Sequence, residues 1–280
     1  TVMMLALVEV NGDKDDQTPE KFIANILKSG NPSKVIQNFE KFSGITEDQH
    51  LNILLSIINS GGGREDVKSL DKFTGITPTD HLQIVQALNA SNAGGTVVTN
   101  LEKFNGVKPE DKRDILFGAI KGGGGYQVAQ NFEKFSDVFS QKDHLEIAHE
   151  LNKAGAGGAV IDNFQKFSGI LVEEHRPIVL EAIKGGGSYQ VIQNLEKFSG
   201  ITEKDHRDIV LEIIKSGGGG YYLNNALDKF KGLEEGLEEG LRQDIKAGKY
   251  EALPHVLEAG FTIEEITRFP FLISPLVTKK

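Results

Sequence analysis

Apolar residues along this chain fall into two alternating kinds of block. The first is long and apolar over a wide arc, as in Leu51, Ile53, Leu54, Leu55, Ile57 and Ile58. That pattern predicts a helix packed between neighbours rather than one lying on a surface. A glycine run, here Gly61, Gly62 and Gly63, stops it. The second block is shorter, with Val67, Leu70 and Phe73 at i, i+3 and i+6, and predicts a second, shorter helix. The boundary signals agree. Thr46 is an N-cap candidate with Gln49 three residues on, and Thr77, Thr202 and Ser140 stand in the same place, each with an Asp three residues on. Pro78 and Pro109 fall at the first helical position, where the missing N–H costs nothing. Ser43-Gly44 or its equivalent closes the unit, glycine being the usual residue after a helix end.

The two blocks recur. An acid or Gln followed by Lys-Phe ends each pair: Glu40-Lys41-Phe42, Asp71-Lys72-Phe73, Glu102-Lys103-Phe104, Glu133-Lys134-Phe135, Gln165-Lys166-Phe167, Glu196-Lys197-Phe198 and Asp228-Lys229-Phe230. Successive lysines lie 31, 31, 31, 32, 31 and 32 residues apart. A period of this length is the mark of a solenoid, in which one helix pair cannot cover its own apolar face and stacked pairs can. The predicted fold is all-α: an α-solenoid of about seven helix–Gly-loop–helix repeats of ~31 residues over 18–232. Distinct caps are expected at 1–17 and 233–280. In the first, the apolar run Val2–Val8 precedes the acidic turn Asp13–Asp16. It reads as a cap or as a signal-peptide remnant, and the lack of a charged stretch before it favours the cap. The second holds a tandem Leu-Glu-Glu-Gly within Gly232–Gly240 and a Pro-punctuated apolar tail. The recurring phenylalanines are expected to be buried between repeats.

Composition narrows the chemistry. The 280 residues include no cysteine, which excludes disulfides, thiolate metal sites and a Cys nucleophile. No apolar run reaches the length of a membrane span. Net charge is −9, unlike a strongly basic nucleic-acid binder, although a solenoid can be acidic outside and basic on one face. No GxxxxGK[ST], HExxH or GxSxG motif is present. Carboxylates fall mainly on helix starts and outer faces. Neither an enzyme, nor a cofactor, nor a small-molecule substrate is indicated. His50, His81, His144, His175 and His206 occupy one position of five repeats. Stacked helices would hold them about 8–10 Å apart, too far to share a zinc ion with ligands at about 2 Å. They read as one consensus residue copied by duplication.

Glycine is the outlier, 32 residues in clusters. A helix–helix turn needs one or two glycines, yet Gly122–Gly125 and Gly217–Gly220 are runs of four. Either the backbone comes close to a ligand such as phosphate, or the run is a permissive linker copied with the repeat. On the first reading, a side chain added at Gly124 or Gly187 would block binding without unfolding the repeat. Lys28, Lys121, Lys153, Lys184 and Lys215 precede the loops and Arg64 follows one. They fit phosphate contacts and equally fit cations complementing a helix C-terminus. Tyr126-Gln127, Tyr189-Gln190 and Tyr221-Tyr222 follow loops, where they could stack on a partner or shield the glycines.

Three stretches carry a family resemblance: Ile76-Thr77-Pro78 at a repeat start, Asn92-Ala93-Gly94-Gly95 at a loop, and Gly124-Gly125-Tyr126-Gln127-Val128 entering the second helix. They resemble the DNA-binding repeats of TAL effectors and their bacterial relatives, and the likeness spans Thr18–Gly232 in architecture. It implies that a two-residue element before Gly-Gly faces the bases: Ser60-Gly61, Asn92-Ala93, Gly122-Gly123, Gly155-Ala156, Gly185-Gly186 and Gly217-Gly218. It also implies that the cation and Gln after the loop lie near phosphate. The chain departs from the family in carrying Tyr after three of its loops, where the family has Lys, and all-glycine loops offer no side chain to a base. The expected nucleic-acid-binding set is Arg64, Lys121, Lys153, Lys184 and Lys215 with Gly62, Gly63, Gly94, Gly95, Gly124, Gly125, Tyr126, Gln127, Gly187, Tyr189, Gln190, Gly219 and Gly220. The alternative partner is a protein.

Overall fold

The computed structural model describes residues 18–62, 67–216 and 229–230. Both expected caps, and the turn at Gly217–Gly220, lie outside these residues. All regular structure among the described residues is helical, with no strand. The chain divides between Val138 and Phe139 into two compact units.

In the first unit, α1 is Pro19–Lys28, α2 Pro32–Gln37, α3 His50–Ile57, α4 His81–Ala90, α5 Gly94–Thr99, α6 Lys112–Ala119 and α7 Gly125–Gln130. Equivalent helices of successive repeats are neighbours: α1 packs on α3, α4 on α6, and α5 on α7. In the second unit, α8 is Gln141–Lys153, α9 Gly157–Asp162, α10 His175–Ala182, α11 Ser188–Asn194 and α12 Glu203–Ser216. There α8 packs on α10, α10 on α12, and α9 on α11. Most of the wide apolar arc is buried: Leu54, Ile57 and Ile58, then Ile84, Val85 and Leu88, and in the second unit Ile147, Ala148 and Leu151, while Leu51 and Leu55 are half-buried.

The repeat starts follow the capping expectation. The backbone N–H of Thr46 donates to Gln49 Oε1 at 2.7 Å, and those of Thr77, Ser140 and Thr202 donate to the Asp three residues on at 2.8–2.9 Å. A single 3-10 turn at Glu47–Gln49 or Pro78–Asp80 lies between cap and helix.

The short helices end on asparagine. Asn38, Asn100, Asn131, Asn163 and Asn194 each donate a side-chain N–H to the carbonyl four residues back, at 2.9 Å. The Lys-Phe phrase then forms a 3-10 turn, as at Leu101–Lys103 and Phe132–Phe135. In the second repeat the start of the expected short helix, at residues 63–66, lies outside the described residues; Val67–Lys72 is a 3-10 turn, and Ser69 stands where the others have Asn. Phe73, Phe104, Phe135, Phe167, Phe198 and Phe230 are buried as expected, while Phe42 is half-buried. The lysine beside them is tethered too. Lys103 Nζ reaches Val67 O at 3.2 Å, and Lys134 Nζ reaches Val98 O and Thr99 O at 3.2 and 3.1 Å, satisfying carbonyls of the preceding repeat.

Candidate nucleic-acid interface

The glycine runs divide their work by position. In Ile120–Gly124 the chain leaves the helix through a wide turn, with Gly123 at φ +73° and open space where its Cβ would stand. Only its conformation asks for glycine. Gly30, Gly61, Gly155 and Gly186 hold the same left-handed apex in other turns, and Asn92, at φ +56°, is the one apex with a side chain among the described residues.

The flanking glycines serve another purpose. A Cβ on Gly124 would stand 2.5 Å from Gly95 N and 2.6 Å from Gly94 C, and one on Gly94 would overlap Ala119 O. The pattern returns in the second unit, where Gly187 lies against Gly157 and Gly157 against the carbonyl of Ala182. The long runs therefore let the backbones of adjacent repeats touch. A side chain at Gly124 or Gly187 has no room, which corrects the expectation that the repeat would tolerate one. Gly62, Gly94, Gly124, Gly125 and Gly187 are all buried.

Three apices of successive repeats open on one cleft of about 420 Å³ in the first unit: Gly61, Asn92 and Gly123. Gly95, Thr96, Thr99 and Gln127 line it with Lys68, and among the described residues no carboxylate does. Gln127 lies over Gly95, its Oε1 2.7 Å from where a Cβ would be, and Gln190 lies in the same way over Gly158. Of the expected set, the structure brings Gly95 and Gln127 into this cleft. Lys121 lines a separate cleft with Asn89, Asp111 and Asp114. Lys153 is exposed and bonded to Glu150 at 2.8 Å, which raises its pKa above the ordinary lysine value. Lys184 is exposed, as are Tyr126 and Tyr189, at 55% and 42%. Gly63, Arg64, Gly219, Gly220 and the side chain of Lys215 lie outside the described residues. Sequence reasoning missed Lys68, Thr96 and Thr99. Each sits after a loop in the short second element, and Thr99 stands one period after Lys68, but no repeated residue type marks the position.

The histidines have a defined role. Nδ1 of His50, His81, His144 and His175 accepts the backbone N–H of Gly75, Gly106, Gly169 and Gly200 at 3.1–3.2 Å, each 25 residues on. An accepting Nδ1 belongs to a neutral imidazole. Each ring also meets, nearly edge-on, the phenylalanine of the next Lys-Phe phrase: Phe73, Phe104, Phe167 and Phe198, with centroids 5.9–6.5 Å apart. Burial lowers the pKa of His81, His144 and His175, against the opposing charges of Asp80, Asp143 and Glu173.

Among the described residues, no cluster of three or more His, Asp or Glu side chains is placed to hold a metal ion, and no helix is long and apolar enough to cross a membrane. Comparison with protein-family models, curated proteins and solved structures finds no match.

Proposed function

We propose that the chain is a non-enzymatic α-solenoid scaffold that binds double-stranded nucleic acid along its helix–glycine–helix turns. The observation that carries this reading is the cleft onto which Gly61, Asn92 and Gly123 open together. Its described lining offers backbone, amide and hydroxyl groups and the ammonium of Lys68. Such groups suit a phosphate backbone, which is contacted by Lys, by Ser, Thr, Asn and Gln, and by main-chain N–H. In a chain with 40 acidic residues, a lining with one cation and no described carboxylate is a surface on which a polyanion meets little local repulsion. The resemblance to TAL-effector repeats supports the same face.

The test is titration of labelled duplex DNA and RNA at about 50 mM salt, where electrostatic binding is favoured. Saturable binding that weakens steeply with salt is expected. No binding at that salt sinks the reading.

A protein partner is the second reading. Tyr126 and Tyr189 hold equivalent places after their loops and are both exposed, and Leu171 and Val172, at 62% and 53% exposure, form a further apolar step at a repeat start. Aromatic residues of this kind are enriched in protein interfaces.

A further inference from the structure

We propose that the His–Gly contacts are acid-released clasps, which hold the closing turn of each repeat against its own first helix only while the imidazole is neutral. The geometry carries this. Four histidines make the same bond across the same 25 residues. Three of them, His50, His144 and His175, are more than nine-tenths buried. A proton on Nδ1 would point one N–H at another, so protonation and the bond exclude each other. The receiving glycine cannot move aside freely. Gly75 packs on the carbonyl of Glu47, Gly106 on that of Pro78, Gly169 on that of Gln141, and Gly200 on that of Val172. Releasing one clasp therefore loosens the turn that joins two repeats.

The fourth repeat in the series breaks the rule in an informative way. Lys112 occupies the histidine position and Asp137 the glycine position, again 25 residues apart, and they form an ion pair at 2.7 Å. Lysine cannot accept an N–H, so the partner has become an acceptor. The Lys112 hydrogen bond holds the Asp137 carboxyl below the usual carboxylate range. This clasp is released by protonating a carboxylate rather than an imidazole.

The charged groups beside His81, His144 and His175 are Asp80, Asp143 and Glu173, each one or two residues before its histidine in the chain. The closing turn of the same repeat brings the glycine N–H and a phenylalanine ring, Phe73 for His50, Phe104 for His81, Phe167 for His144 and Phe198 for His175, and the preceding repeat adds Phe39 for His50 and Phe164 for His175. The carboxylates favour the charged ring and burial opposes it, and for His81, His144 and His175 burial prevails. An unfolded imidazole titrates near pH 6.5. The unfolded chain then takes up protons before the folded one does. Stability is full above about pH 6.5 and declines as pH falls below it.

The experiment is NMR of the whole chain, following the imidazole Cε1–H of each histidine and the amide protons of Gly106, Gly169 and Gly200. The expected result is that His81, His144 and His175 titrate below their urea-unfolded values and that the three glycine amides shift with the same midpoints. Hydrogen-exchange protection at these glycines should fall by up to about tenfold per pH unit for each proton taken up on opening. His144→Asn keeps an acceptor near the Nδ1 position and does not titrate, so protection at Gly169 should lose its acid dependence while Gly200 keeps its own. Imidazoles that titrate at or above their unfolded values overturn the proposal. So does a His144→Asn chain in which Gly169 still opens with acid as in the parent.

Discussion

Lys112 donates to both carboxylate oxygens of Asp137, at 2.8 and 2.7 Å, across the interval that separates each clasp histidine from its glycine. The two positions have changed together while the contact between them is kept. Either change alone would disturb the contact: lysine opposite glycine keeps only the carbonyl of Lys134 as acceptor, and a side chain at the glycine position of a histidine repeat would overlap a carbonyl, as at Gly106 and Gly169.

The exchange Lys112→His with Asp137→Gly should therefore be less damaging than its two halves combined. Asp137 is largely exposed, so removing either partner should cost only about 0.5–1 kcal/mol. Urea midpoints for the four members of the cycle give the coupling. Strictly additive changes would mean that the two positions do not form one clasp.

Neighbouring glycines in one run should respond very differently to substitution. Gly123→Asn meets nothing within 4 Å and places a residue that tolerates a left-handed φ, so it should cost under about 1 kcal/mol. Gly124→Ala drives a methyl into Gly94 and Gly95 and should cost about 1–3 kcal/mol or more, as overpacking does. Equal effects in denaturant unfolding would refute the division of labour within the run.

That division shows where the sequence was legible and where it was not. Helix, glycine stop, capping Thr46 and buried Phe135 each depend on a residue's own type and its near neighbours, and the pattern displayed them. The role of Gly124 depends on the backbone of Gly94 and Gly95, some thirty residues earlier, so a glycine pressed against another repeat looks identical to one awaiting a ligand. His144 was equally opaque, because its partner is the main chain of Gly169, and a main-chain group leaves no mark in the sequence. The one available signal was the exception: Lys112 departs from histidine in the repeat where Asp137 departs from glycine. Lys68 was hidden for a different reason. It is a single cation in a run without a repeated counterpart, and only the cleft gives it significance.

Phe135 tests the coupling of repeats by packing rather than by hydrogen bonding. Its side chain is fully buried, and the Lys134 beside it is tied to the carbonyls of Val98 and Thr99. Phe135→Ala should cost roughly 3–5 kcal/mol, the range for a buried phenylalanine whose cavity cannot collapse. A loss below about 1 kcal/mol in chemical denaturation would place the Lys-Phe phrase at a surface.

The last prediction separates the cations by the cleft they line. If duplex nucleic acid lies along the Gly61, Asn92 and Gly123 apices, Lys68 shares their cleft, whereas Lys121 lines a neighbouring cleft that meets it at Asn92 and holds Asp111 and Asp114. Each phosphate contact adds about −0.9 to the slope of log affinity against log salt. Lys68→Ala should flatten that slope by about 1 and weaken binding to every duplex alike, since phosphate contacts position without specifying sequence. Lys121→Ala should leave the slope unchanged, because its cleft holds Asp111 and Asp114, which repel a polyanion. Isotherms for the parent and both variants at several salt concentrations decide the matter. A slope that responds to Lys121 and ignores Lys68 would move the interface away from the glycine apices and onto the face of the long helices.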